Sequence, residues 1–83
     1  IKGSKTYSKT INLLTVESNI SKELSKIQKF FKKDVEIGSY PFFRLGKIGV
    51  AVVSRSTSLS KLNKVNKELI KLTRIKKIKI LKI

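Results

Sequence analysis

The 83-residue chain contains no histidine, cysteine, methionine or tryptophan, and it has a single proline, Pro41, and a single alanine, Ala51. Without histidine, the commonest general base near neutral pH and the commonest nitrogen ligand for metals are both missing. Without cysteine there is neither a disulfide framework nor a thiolate metal site, which fits a reducing compartment and makes the cytoplasm the expected location. Long apolar runs are missing too. The longest unbroken one covers residues 50–53, far short of the roughly 20 residues that span a bilayer. The basic Ile/Lys tail of residues 74–83, which could form an amphipathic helix against a membrane, has no Trp or Phe to anchor it, so no membrane association is expected. The chain opens on Ile1 and shows no signal-peptide pattern, which reads as a segment of a longer protein.

Carboxylates are scarce as well. Glu17, Glu23, Asp34, Glu36 and Glu68 stand against 20 lysines and arginines, for a net charge of +15. Glu23 and Glu68 lie on helical stretches beside lysines, and Glu36 falls on the polar side of a strand pattern, so these acids read as surface charges. No phosphate-binding loop, dinucleotide fingerprint or nucleophile elbow occurs. The chain by itself is therefore expected not to be an enzyme, and no catalytic, cofactor-binding or metal site is assigned.

The positive charge admits two readings. It invites polyanions such as RNA, DNA or anionic membrane. It also matches an AT-biased coding sequence that drifts lysine onto solvent faces. Arginine occurs only at Arg44, Arg55 and Arg74, and arginine is the residue of bidentate phosphate and base contacts, so its scarcity weighs against specific nucleic-acid readout.

Along the chain, residues 1–8 are polar and aperiodic and read as a linker. A β-leaning run covers residues 9–16. Ile20, Leu24, Ile27 and Phe31 then recur at helical spacing, with Lys22, Lys26, Lys29 and Lys33 on the other side, which predicts an amphipathic helix capped by Ser18 or Asn19. Val35 and Ile37 alternate with Asp34 and Glu36 in a short strand expected to stop at Gly38. Residues 40–45 read as an aromatic loop entered by Pro41. After a turn near Gly46, Ile48, Val50 and Val52 alternate with Gly49, Ala51 and Val53. This strand is apolar on both faces and so is central, and its small residues are expected to let a helix pack closely.

Thr57 or Ser58 caps a second helix with Leu59, Leu62, Val65 or Asn66, Leu69 and Leu72 as its buried stripe. The Lys/Ile alternation of residues 74–83 reads as a basic tail or a lysine-guarded edge strand, so the small α+β domain itself covers residues 9–73. The fold class is α+β: a two-layer β-α-β-β-α(-β) sandwich with both helices on one face of a mainly antiparallel sheet.

Gly46 and Gly49 match the G-x-x-G spacing of loops that clamp nucleic-acid backbones. A β-branched strand follows here instead of a helix, so the pair is read as a hairpin turn, with a positive φ at Gly46 and a close approach at Gly49. Tyr40, Pro41, Phe42, Phe43, Arg44 and Lys47 form the candidate interaction surface, where three aromatic side chains cluster beside basic charge.

The run Val35, Glu36, Ile37, Gly38, Ser39, Tyr40, Pro41, Phe42, Phe43 precedes Gly46, residues 49–53, and Arg55, Ser56 and Thr57 before a helix. This order resembles the small, KH-like C-terminal subdomain of CinA-type competence/damage-inducible, molybdopterin-binding-like proteins, a family that also supplies one domain of some FAD synthases. The resemblance covers residues 8–72 and is most specific at residues 38–41. It implies a non-catalytic module, without a cofactor of its own, that packs on or dimerises a preceding nucleotide- or pterin-processing α/β domain of molybdopterin-binding type. The lysine excess and the Ile/Lys tail depart from the family pattern. The alternative is a basic RNA- or DNA-binding module using Lys26, Lys29, Lys33, Arg44, Lys47 and the aromatics.

Overall fold

The computed structural model describes residues 5–81, so the linker reading of residues 1–4 lies outside the described residues. The elements run β1 (Tyr7–Leu13), α1 (Ser21–Phe31), β2 (Glu36–Arg44), β3 (Lys47–Ser56) and α2 (Leu59–Lys76), with short 3-10 turns at Glu17–Asn19 and Lys32–Asp34 on either side of α1. The sheet is antiparallel in the order β1-β3-β2. Leu14 donates to the carbonyl of Lys79 (2.9 Å) and Leu81 to that of Asn12 (2.8 Å), which sets Ile80 against Leu13. The edge-strand character expected of the tail is thus a single bridge beside β1. It extends the order to tail-β1-β3-β2, that of a split β-α-β fold.

The core follows from two periodicities meeting. Ile20, Leu24 and Phe31 before and on α1, and Leu62, Val65, Leu69 and Leu72 on α2, are buried at helical spacing. Leu13, Val50 and Val52 are buried at strand spacing, and Val35 is buried just ahead of β2. Each such aliphatic side chain stabilises by about 1.5–3 kcal/mol on leaving water. Leu59, expected in the stripe, is the first residue of α2 and is 46% exposed.

Ser58 caps α2 as expected, its hydroxyl accepting from the Lys61 amide at 3.3 Å. The cap expected for α1 is different. Neither Ser18 nor Asn19 serves; Ile20 takes the N-cap position with no side-chain bond, and Asn19 Nδ2 donates to Thr15 Oγ1 instead (2.9 Å). Burying Ile20 completely fixes which residue enters the helix and displaces the polar residues into the preceding turn.

β1 begins at Tyr7 and ends at Leu13, two residues earlier than its pattern suggests at the start and three at the end. α2 runs to Lys76, past residue 73. The largest correction concerns residues 40–45. Residues 40–44 are strand and only Leu45 lies in a turn: β2 continues through Gly38 and Pro41 to Arg44, paired with β3 throughout. β2 is an edge strand, and an edge tolerates proline because the missing N–H can face solvent.

Alternation on β3 decides the two faces of the sheet. Val50, Val52, Ser54 and Ser56 are buried beneath the helices. Lys47, Gly49, Ala51, Val53 and Arg55 therefore point to the opposite face, which no helix among the described residues covers. Gly49 and Ala51 thus do not admit a helix, contrary to expectation. A Cβ at Gly49 would instead meet the Phe42 ring and lie 2.7 Å from the Leu13 carbonyl oxygen.

Candidate functional site

The hairpin joining β2 to β3 turns through Leu45 and Gly46, with φ of +55° and +73°. Two positive φ values in a two-residue loop match the right-handed strand twist, and Gly46 supplies one of them without steric cost. The turn sets the register Arg44↔Lys47, Phe43↔Ile48, Phe42↔Gly49, Pro41↔Val50 and Tyr40↔Ala51. Strand alternation then splits the candidate surface in two.

Tyr40, Phe42, Arg44 and Lys47 share the open face of the sheet. The Tyr40 ring lies back along β2 over Gly38, where a Cβ would meet its hydroxyl at 3.0 Å, and the Phe42 ring lies across β3 over Gly49. Both glycines make room for a ring to lie on the sheet. Tyr40 nevertheless remains 52% exposed. Arg44 and Lys47 stand directly opposite each other at one end of this face, and Arg55 stands opposite Glu36 at the other. Among the described residues the ion pairs are Lys61–Asp34 (2.7 Å) and Lys76–Glu23 (3.1 Å), neither of which involves these three cations.

Pro41 and Phe43 point to the helix side, with Ile48 opposite Phe43. The hairpin reaches past the helices here, so Phe43 is 72% exposed, Ile48 60% and Leu45 84%. This apolar tip is distinct from the open face.

Lys26 lies in the helix layer, on a groove of about 430 Å³ between α1 and α2 floored by Ile27, Phe30 and Phe31 and rimmed by Lys64 and Lys67. Lys29 is on α1 and Lys33 in the turn after it. The structure therefore does not bring Lys26, Lys29 and Lys33 onto one surface with Arg44, Lys47 and the aromatics. Sequence reasoning passed over Arg55, Leu45 and Ile48. Arg55 could have been found by extending the alternation of Lys47, Gly49, Ala51 and Val53 one more step. Among the described residues, no group of three or more acidic side chains comes together as a cation site, and no helix is long and apolar enough to cross a membrane.

Fold and surface define a small split β-α-β domain that presents one uncovered sheet face and one apolar hairpin tip. The profile of the family described as FAD synthase, middle domain, matches residues 5–82; the chain belongs to that family. The match agrees with the FAD synthase side of the resemblance seen in residues 35–57, and a middle domain is by its name one part of a larger enzyme. Among solved structures the chain is similar to the de novo designed protein Foldit4, with a TM-score of 0.65 and 16% identity over 92% of this chain and 89% of that one. At that identity the likeness concerns the fold alone. No curated protein matches.

Proposed function

We propose that this chain is a non-catalytic accessory domain of a FAD-synthase-type, CinA-like protein of the cytoplasm, and that its hairpin tip packs on a nucleotide- or pterin-processing α/β domain of molybdopterin-binding type. The observation that carries this reading is the tip itself. Phe43, Leu45 and Ile48 are 60–84% exposed, and they contribute little to the core of this chain. A contiguous apolar patch at one end of a small domain marks a surface built to be covered. Leu45 adds to the case, since a non-glycine residue at positive φ costs about 1–2 kcal/mol and, at 84% exposure, gains little packing within this fold in return.

Hydrogen exchange on the product of the whole reading frame that encodes this chain tests the proposal. Amides of the β2–β3 tip are expected to be protected relative to the isolated chain, and F43S with I48S is expected to remove that protection while leaving the isolated chain's unfolding midpoint unchanged. A reading frame without an α/β domain beside this one, or a tip that exchanges equally in both forms, overturns it.

A further inference from the structure

We infer that the open face of the sheet is a binding site for single-stranded nucleic acid, with Tyr40 and Phe42 as base-stacking positions and Arg44, Lys47 and Arg55 as phosphate contacts. This face is separate from the hairpin tip, and the inference does not rest on the docking role proposed for that tip.

The first argument is shape. Tyr40 and Phe42 are two residues apart on β2, about 7 Å along the strand. Their rings lie on the sheet over Gly38 and Gly49 instead of standing away from it. An aromatic ring in this posture offers a face to a partner, and every nucleobase has a π-face to match it. A duplex hides those faces in its own stack, whereas a single strand can splay its bases onto the sheet.

The second argument is charge. Arg44 and Lys47 face each other directly across the strands, an arrangement that costs stability through repulsion. An anion held between them removes that cost. Arg55 carries a third positive charge eight residues along β3, about 26 Å away, with Glu36 opposite it. Two of the three arginines in the chain thus lie on this one face, whereas the lysine excess spreads over both helices. Ser8, Thr10 and Asn12 of β1 complete the face with neutral polar groups.

Diffuse attraction by a +15 chain is the competing explanation, so the test has to separate the face from the total charge. Fluorescence anisotropy of a labelled single-stranded oligouridylate across a salt series provides this, together with quenching of tyrosine emission. Tyr7→Phe leaves Tyr40 as the sole tyrosine. The expected result is saturable binding with quenched Tyr40 emission and a preference for the single strand over a duplex of the same length.

Tyr40→Ala is expected to weaken binding about tenfold or more without changing the salt slope. Arg44→Gln with Lys47→Gln and Arg55→Gln is expected to flatten the slope by about 2, at roughly 0.7 per phosphate contact on a single strand. Lys26→Gln with Lys64→Gln and Lys67→Gln removes equal charge from the helix layer and serves as the control. Equal losses from the two triple variants overturn the inference, as do unquenched Tyr40 emission at saturation, preference for duplex, or absence of binding at low salt. Self-association that Tyr40→Ala abolishes also overturns it, by assigning the face to a second copy of the chain. The quenching experiment reads the native aromatic face, so a Tyr40→Ala variant that fails to fold leaves the inference testable.

Discussion

Leu45 occupies a backbone position that suits almost any small polar residue better. Its φ of +55° brings Cβ against the following carbonyl, at a cost of about 1–2 kcal/mol that asparagine largely escapes by hydrogen-bonding locally. With 84% of its surface in water, Leu45 has almost no packing to lose. Leu45→Asn creates the Asn-Gly pair favoured in such turns and is expected to stabilise the isolated chain by about 0.5–1 kcal/mol, read as a rise in the urea midpoint with an unchanged m-value. A fall in the midpoint would mean that Leu45 packs within the domain after all. Lys77 holds a comparable left-handed position at the end of α2 (φ +56°). There the geometry is recovered in part, because Ile78 donates to the Thr73 carbonyl at 2.8 Å and its side chain packs against the core, as a helix-ending turn of this type requires.

At the level of elements, the helices were legible and the sheet faces were not. Ile20, Leu24 and Phe31, like Leu62, Val65, Leu69 and Leu72, repeat at a period that only a helix satisfies, so burial and sequence agree. β2 was misread because Gly38 and Pro41 are breakers in a central strand and harmless in an edge strand, and edge position is a property of the sheet order. The candidate residues 40–44 were found by composition, but their division between two faces needed the register set at the turn.

Gln28 was equally illegible, being an ordinary polar residue on α1. In the fold its Nε2 donates to the carbonyls of Lys32 (2.9 Å) and Val35 (2.7 Å), and its Oε1 accepts from the Ile37 amide (2.8 Å). It joins the end of α1 to the start of β2 across Lys32, which has φ +54°. Gln28→Ala leaves three backbone groups to find other partners and is expected to destabilise by about 1–3 kcal/mol. Native-state hydrogen exchange checks the mechanism: protection should fall first at Ile37. A uniform loss of protection would instead point to a general packing defect.

Across the whole molecule, the same lysines that crowd the surface also tie its ends together. Lys76, near the end of α2, reaches the start of α1, where its Nζ donates to the Asn19 carbonyl (2.7 Å) and pairs with Glu23 Oε2 (3.1 Å). The Lys76 ammonium, hydrogen-bonded to the carboxylate, holds Glu23 below the ordinary glutamate range, with a backbone hydrogen bond acting in the same direction. The unfolded chain therefore takes up a proton at Glu23 at a higher pH than the native chain does, and stability rises with pH across that window. The contribution is complete above the ordinary glutamate pKa of about 4.3 and disappears as pH falls through the lowered folded value. The remaining carboxylates add to acid sensitivity by a different route, because their protonation leaves 20 lysines and arginines unopposed and raises self-repulsion for any variant. Glu23→Gln separates the two effects. Its thermal midpoint is expected to lie below that of the parent chain at neutral pH, and the gap should close as the pH is lowered through the glutamate range. If the two curves instead stay parallel, the Lys76 clamp does not bear on acid stability and repulsion alone accounts for the acid limb.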